Sequence, residues 1–290
     1  ALGYISARYL HVDKKSVASI ILYLLVPVVV FHGALHAPLD RASLLFPIVL
    51  FGFSLLICLL GYAYGRRVLQ NSRANAFAVV VSNGNLGAFG LPIALLLFDQ
   101  ETIGIYILVL FSTTVFLYTI GFYLIARGQF GMRDTIMQML RLPILYAFAL
   151  GVVCNLMQLP LPEALELFVQ PITATFTVLG MMVVGMAIAK IDSWRRFDYR
   201  FLFSSLAFRV ILWPALAFCF IGLDMAYLGW FDERIYKVLI LVSVMPVAFT
   251  PIVFATLFNL HPRPVARAVL VSTLLSLIYL PLVTVFLLAD

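Results

Sequence analysis

The sequence predicts an all-α polytopic membrane protein with ten transmembrane helices, the first of them truncated. Two observations predict this class. Of the 290 residues, 64% are hydrophobic and 11% are charged, and the mean hydropathy is +1.09, whereas soluble domains are roughly half apolar and about one quarter charged. Apolar runs of bilayer-spanning length also recur along the whole chain. We therefore interpret residues 1–290 as a single transmembrane domain.

The individual spans can be read from these apolar runs, because a span requires about 20 residues. Residues 1–5 are too few for a span, and we interpret them as the end of a truncated first helix. With that remnant, the full-length segments give ten helices. The full-length segments are 16–36, 43–65, 74–98, 103–126, 142–159, 167–189, 199–222, 236–259 and 265–289.

The basic residues are concentrated in alternate loops, as expected of the cytoplasmic side of a membrane protein. The opposite loops contain Arg41, Arg234 and Lys237. We therefore expect a multi-pass protein of the cytoplasmic membrane with both termini outside. Although the net charge is +6, the basic residues form no extended stripe, which argues against a nucleic-acid partner. The residues assigned to the cytoplasmic side are Arg8, Lys14, Lys15, Arg66, Arg67, Arg73, Arg127, Arg133, Arg141, Lys190, Arg195, Arg196, Arg200, Arg263 and Arg267.

One further basic residue, Arg209, lies near the middle of the 199–222 segment. A charge at the bilayer centre costs roughly 2.5–3.5 kcal/mol on insertion scales, so Arg209 needs a partner. Because every Asp and Glu is assigned to a loop or a terminus, the alternatives are an anionic substrate, a backbone carbonyl at a broken helix, or water. The lack of an embedded acid also argues against carboxylate-based cation exchange, so any ion coupling would use neutral oxygens or a histidine such as His32.

The chain divides into two halves of five helices, approximately residues 1–127 and 141–290, joined by a cytoplasmic link at 128–140. An odd number of spans per half inverts the second copy in the membrane, so the count predicts a 5+5 inverted repeat. The fourth helices of the halves are also alike in sequence, at 79–98 and 241–258. Gly or Pro interrupts both of them, which predicts two broken helices.

The first of these helices contains glycines at every third position between two asparagines and a proline. Gly and Pro lower helix stability, so we expect the helix to unwind there. Unwound backbone at membrane depth is tolerated only inside protein or beside a cavity, so paired breaks indicate a substrate site. Alternatively, the glycines allow close helix packing and the amides join helices. The candidate residues are Asn83, Gly84, Asn85, Gly90 and Pro92.

The second helix is interrupted by two prolines, each of which deletes a backbone hydrogen bond and leaves a carbonyl free. If the two broken helices cross, the N-termini of their half-helices would present positive dipole ends to an anion. Alternatively, each proline only kinks its helix. The candidate residues are Ser243, Pro246, Thr250 and Pro251, with Arg209 as a further substrate-binding candidate.

These features predict a secondary transporter of small organic anions that is not an enzyme. The sequence has no phosphate-binding Gly-Lys-Ser/Thr loop and no His-Glu-x-x-His motif. We therefore predict no catalytic residues, no metal site and no cofactor. The alternative is a membrane-embedded ligand sensor or receptor that uses the same fold without transport.

The broken segments resemble those of the auxin efflux carrier family, whose bacterial members include malate and malonate permeases. The resemblance runs through most of the chain. It is carried by Asn83-Gly-Asn-Leu-Gly-Ala-Phe-Gly-Leu-Pro92, by Met245-Pro-Val-Ala-Phe-Thr-Pro-Ile-Val-Phe-Ala255 continuing through Asn259-Leu-His-Pro262, and by Arg209 with Pro214.

This resemblance implies two crossing broken helices and elevator-like movement of a substrate-carrying unit against a scaffold. It also implies mono- or dicarboxylate substrates, such as malate, malonate or auxin-like acids, bound near Asn83 or Asn85 and the crossover prolines. The long central loop of many plant members is reduced here to 128–140, and no asparagine lies between the second pair of prolines. A bacterial inner-membrane member is therefore implied. The expected partners are a small carboxylate and the lipid bilayer, and a homodimer is left open.

Overall fold

The computed structural model of the chain is helical. It describes residues 2–35, 41–69, 73–127, 131, 133–134, 137, 140–159, 163–189 and 198–285. Within these residues there is no β-strand, although an isolated antiparallel bridge joins Gly84 to Val247. The predicted all-α class is therefore confirmed for this part of the chain. The predicted link at 128–140 lies largely outside the described residues.

The helices are labelled in chain order, and each label includes any π-helical turn that continues the helix. They are α1 (Leu2–Arg8), α2 (14–35), α3 (Arg41–Val68), α4 (Arg73–Ser82), α5 (86–97), α6 (100–127), α7 (Pro143–Leu156), α8 (Glu163–Ala189), α9 (Tyr199–Leu228), α10 (Glu233–Val244), α11 (Thr250–Leu257) and α12 (Pro262–Val283).

Five helical segments in the described part are long and apolar enough to cross a membrane. The prediction of a polytopic helical membrane protein is confirmed to this extent, whereas the count of ten spans and the 5+5 repeat stay predictions. The segments are Lys14–His32, Leu45–Val68, Thr102–Arg127, Tyr199–Leu228 and Pro262–Val283.

Aspartates at the helix starts explain several helix boundaries. The side chains of Asp13, Asp99, Asp198 and Asp232 each accept a hydrogen bond from a backbone N–H in the first turn of the helix that follows. Such caps satisfy donors that have no partner within the helix. Hydrogen bonds from Ser16 hold the pKa of the Asp13 carboxyl below its usual value. These acids therefore have a structural role at the ends of helices.

One group of helices consists of α1, α2, α7 and α8. In it α1 packs against α8, and α7 packs against α2. Both contacts are close because a glycine lies at each of them. A Cβ atom at Gly151 would stand 2.6 Å from the carbonyl oxygen of Phe31, and one at Gly3 would meet the backbone of Met182. Small residues of this kind allow close helix approach in membranes.

A second group consists of α3 to α6 and α9 to α12, and it contains both helix breaks. α3 packs against α4 and α6, while α9 packs against α10 and α12. Buried aromatic side chains join the two halves of the chain within this group. The rings of Phe77 and Phe201 meet edge to face at 5.5 Å, and those of Phe122 and Phe254 at 5.4 Å. The first group contacts this one where α2 and α8 reach α6, α11 and α12.

Asp224 corrects the prediction that every acid lies in a loop or at a terminus. It belongs to the last turn of α9, which continues to Leu228 beyond the predicted end at residue 222, and its side chain is buried. Its carboxylate accepts hydrogen bonds from the backbone N–H groups of Trp230 and Phe231 and, at 2.6 Å, from the Tyr236 hydroxyl. Through these hydrogen bonds the buried carboxylate stabilises the turn between α9 and α10.

Candidate functional site

The two broken helices cross and bind each other through their backbones. The break after α4 comprises residues 83–85 and the break after α10 comprises residues 245–249, and we call these segments together the crossover. The N–H of Asn85 donates to the carbonyl oxygen of Pro246 at 2.7 Å, and the N–H of Ala248 donates to that of Asn83 at 3.1 Å. Each break therefore satisfies polar groups that the other has freed, as the membrane interior requires.

Side chains from neighbouring helices satisfy further backbone groups in the crossover and in the helix ends next to it. All of these donors or acceptors are buried or half-buried, so each group would be costly to leave unpaired. The contacts are Trp213 Nε1 to the Val81 oxygen at 3.0 Å, Tyr106 Oη to the Leu86 oxygen at 2.9 Å, Tyr279 Oη to the Val244 oxygen at 2.8 Å, and Val247 N–H to Ser272 Oγ at 3.1 Å.

A cavity of about 200 Å³ lies against the crossover, between the two groups of helices. Its polar wall is formed by the crossover and by hydroxyl groups of α6 and α8, and its remaining wall is aliphatic and aromatic. No charged side chain is among the described residues that line it. The polar lining residues are Asn83, Asn85, Thr113, Thr114, Tyr118, Thr173 and Thr250, and the apolar ones include Val26, Val30, Leu110, Phe111, Phe176 and Phe249.

The two crossover asparagines differ in what their amides bind. The Asn83 amide donates to the Val79 carbonyl oxygen at 3.1 Å and to Ser82 Oγ at 3.0 Å, so it caps the end of its own helix. The Asn85 side chain is 3% exposed, and its amide nitrogen has no hydrogen-bond partner in the structure. Because Asn85 also lines the cavity, its amide is the candidate donor for a ligand there.

Arg209 lies behind the crossover and does not line the cavity. It belongs to a π-helical turn of α9, Ala207–Leu212, which precedes Pro214. A proline lacks an N–H group and displaces the carbonyl one turn earlier, which favours such a turn. The guanidinium donates from Nε to the Met245 oxygen at 2.6 Å and from Nη2 to the Val242 oxygen at 2.7 Å. Of the three predicted partners, the structure shows backbone carbonyls at a broken helix.

The other predicted site residues divide into those that line the cavity and those that shape the crossover. Gly84 and Thr250 line the cavity. Pro246 lies in the second break, and Pro251 is the buried second residue of α11. The Ser243 hydroxyl donates to the Ile240 oxygen at 2.8 Å.

Gly90 and Pro92 lie in α5, beyond the break. A Cβ atom at Gly90 would meet the Tyr106 hydroxyl, so the absence of a side chain there lets Tyr106 reach the Leu86 carbonyl. Pro92 is the second residue of the segment Leu91–Leu97, and its side chain lies outside the described part of the structure.

Sequence reasoning missed the cavity residues that lie outside the crossover. Thr113, Thr114 and Tyr118 come from α6. Thr173 and Phe176 come from α8. The signal available in the sequence is the run of hydroxyl residues 112–114 followed by Tyr118, which lies four residues after Thr114 and therefore on the same helix face as Thr114.

Comparison with known proteins identifies the family of this chain. A family described as membrane transport protein matches residues 1–284. The chain is also similar to an uncharacterized transporter of Methanothermobacter thermautotrophicus, with 25% identity over 287 residues that cover 95% of this chain and 89% of that protein. The chain belongs to the membrane transport protein family, which is the auxin efflux carrier family that its crossover segments resemble.

Proposed function

We propose that this chain is a secondary transporter of small organic anions across the cytoplasmic membrane, with the crossover cavity as its substrate site. The observation that carries the proposal is the buried, unpartnered amide of Asn85 at the wall of the cavity. A buried donor without a partner is costly, so such a group is expected to have a ligand in at least one state of the protein. The site residues Asn83, Gly84 and Thr250 line the same cavity.

Neutral groups of the crossover would bind the anion. The helices α5 and α11 begin at residues 86 and 250, and Leu86, Gly87 and Thr250 all line the cavity. Helix N-termini carry a partial positive charge, so both favour a carboxylate at this wall. With the Asn85 amide as hydrogen-bond donor, they favour an anion without any charged side chain in contact with the ligand.

The shape and chemistry of the cavity favour an acid with one carboxylate and an apolar body. The Thr113 and Thr114 hydroxyls donate to carbonyl oxygens of their own helix, whereas the Asn85 amide nitrogen has no partner. Val26, Val30, Phe111 and Phe176 form apolar wall. A second carboxylate would have to lie against these side chains, and an unpaired buried charge costs several kcal/mol. We therefore propose monocarboxylates as the substrate class, ahead of malate and malonate.

The proposal includes a 5+5 inverted repeat with both termini periplasmic and an elevator-type movement. The packing of α1 against α8 mirrors that of α7 against α2, as a two-fold relation between halves requires. His11 and Gln158, which follow α1 and α7, also share a left-handed backbone with φ of 52°. Because the cavity lies between the two helix groups, movement of one group against the other would carry a bound ligand and change its access.

A flux assay in proteoliposomes tests the proposed substrate class. We expect uptake of labelled phenylacetate to exceed that of malonate at least about tenfold, since no charged side chain among the described lining residues would pair with the second carboxylate of malonate. The control is liposomes without protein, with both acids at the same external concentration. Faster flux of malonate would contradict the monocarboxylate assignment. Binding of these acids without flux of either would favour a ligand sensor over a transporter.

A further inference from the structure

We propose that Arg209 acts as a fixed internal cation, which selects anionic ligands through the crossover backbone and occupies the place of a coupling cation. The inference rests on the proposed substrate site and adds a residue that determines its charge preference without touching the ligand. Arg209 is 1% exposed, and its guanidinium stays protonated under physiological conditions. It is therefore a permanent charge beside the crossover.

The charge of Arg209 is not neutralised by an acid in the described part of the chain. Its hydrogen bonds go to two carbonyl oxygens, and its Nη1 atom has no partner. The ring of Trp213 lies 4.8 Å from the guanidinium carbon, which stabilises the cation but adds no negative charge. The buried Asp224 is engaged by its own turn. A net positive charge thus remains inside the protein.

Gly84 lies between the Arg209 guanidinium and the cavity. Gly84 lines the cavity, and a Cβ atom at Gly84 would meet Nη2 and Cζ of Arg209. Two unit charges on the order of 8 Å apart at an effective dielectric of about 20 shift a binding constant by roughly thirtyfold. The guanidinium therefore favours a carboxylate over a neutral ligand of the same shape, even though it does not contact either.

The same guanidinium binds carbonyl oxygens at the start of the second break and in the helix end before it. Carbonyl oxygens of an unwound membrane helix are the ligands that a Na⁺ ion uses in transporters of this general design. Here the oxygens of Val242 and Met245 both accept from Arg209, and that of Val244 accepts from Tyr279. With these oxygens occupied by a tethered cation, binding at the crossover requires no free Na⁺.

The first test compares phenylacetate with its uncharged isostere phenylacetamide on the purified full chain. In Arg209→Met, we expect phenylacetate affinity to fall roughly thirtyfold and phenylacetamide affinity to change less than about threefold. Arg209→Lys keeps the charge and is expected to retain the preference for the acid. Arg234→Gln, which removes an exposed arginine, is the matched control. Equal weakening of both ligands, or of neither, would overturn the selectivity role.

A second test uses only the unaltered chain, so it holds even if the Arg209 variants do not fold. The thermal midpoint without ligand is measured in NaCl and in choline chloride of equal concentration. Equal midpoints are expected, and a midpoint several degrees higher in NaCl would refute the fixed-cation assignment. If the unaltered chain bound neither phenylacetate nor phenylacetamide, the proposed substrate class would fail, while the NaCl comparison would still test whether Arg209 takes the place of a coupling cation.

Discussion

Replacing Asn85 with alanine is expected to reduce carboxylate flux in proteoliposomes about ten- to a hundredfold, because a hydrogen bond to a charged group contributes roughly 1.5–3 kcal/mol. The thermal midpoint of the purified chain should change little, since the Asn85 amide nitrogen has no partner to lose. Its backbone hydrogen bond to Pro246 is kept in the variant. Loss of flux without loss of stability is thus the expected signature of a ligand-binding residue.

Asn75→Ala is the matched control for this prediction. Its amide donates to the Leu124 oxygen at 2.6 Å and so joins α4 to α6, away from the cavity. The control should lower the thermal midpoint and leave the flux of correctly inserted protein near the unaltered level. If Asn85→Ala transported phenylacetate as well as Asn75→Ala does, the Asn85 amide would not be a substrate ligand.

Replacing Gly84 with alanine is expected to destabilise the protein by about 2–4 kcal/mol, measured as unfolding in detergent. The added Cβ atom would meet the Arg209 guanidinium and approach Met245 Cβ at 3.3 Å. Arg209 would have to move and would lose its hydrogen bonds to Val242 and Met245. The Met245 carbonyl would then lose its hydrogen bond inside the membrane, and the Val242 carbonyl would keep only the one from the Met245 N–H at 3.4 Å.

Gly52→Ala provides the comparison, because a Cβ atom built at Gly52 would meet no atom within 4 Å beyond its chain neighbours and the backbone of its own helix. In that position on α3, alanine should be neutral or should stabilise the helix by roughly 0.5–1 kcal/mol. The two variants carry the same chemical change in one membrane protein. Equal stability of Gly84→Ala and Gly52→Ala would show that the contact of Gly84 with Arg209 is not a tight one.

The helix breaks could be predicted from the sequence because their causes are local. Gly84, Pro246 and Pro251 weaken or exclude helical hydrogen bonds wherever they occur. The pairing of Asn85 with Pro246 could not be predicted in the same way, because it joins residues far apart in the chain. The two segments in which backbone groups lose their helical partners could be recognised in the sequence. That these segments bind each other could be seen only in the folded structure.

The roles of individual side chains were less predictable than the position of the site. Asn83 and Asn85 are equivalent by composition, yet one amide caps its helix and the other has no partner. Which amide has a partner depends on the direction of each side chain at the unwound turn. The spacing of residues in the sequence does not determine that direction. The partner of Arg209 was left open for the same reason, and the structure shows two carbonyl groups.

The burial of Asp224 shows a different limit of sequence reasoning. An acid at the end of an apolar run suggests an exposed loop. Here the chain reverses direction at Gly229, whose φ of 61° allows a tight turn. The turn directs two N–H groups at the carboxylate. Burial follows from this local geometry, since a carboxylate with several donors tolerates a site without water.

A structure of the chain with phenylacetate bound tests the central claim most directly. We expect density for the acid in the crossover cavity, with its carboxylate about 3 Å from the Asn85 amide nitrogen and its ring toward Phe176. Arg209 should keep its hydrogen bonds to the second break and remain out of contact with the ligand. An occupied site elsewhere in the protein, with the crossover cavity empty, would contradict the assignment.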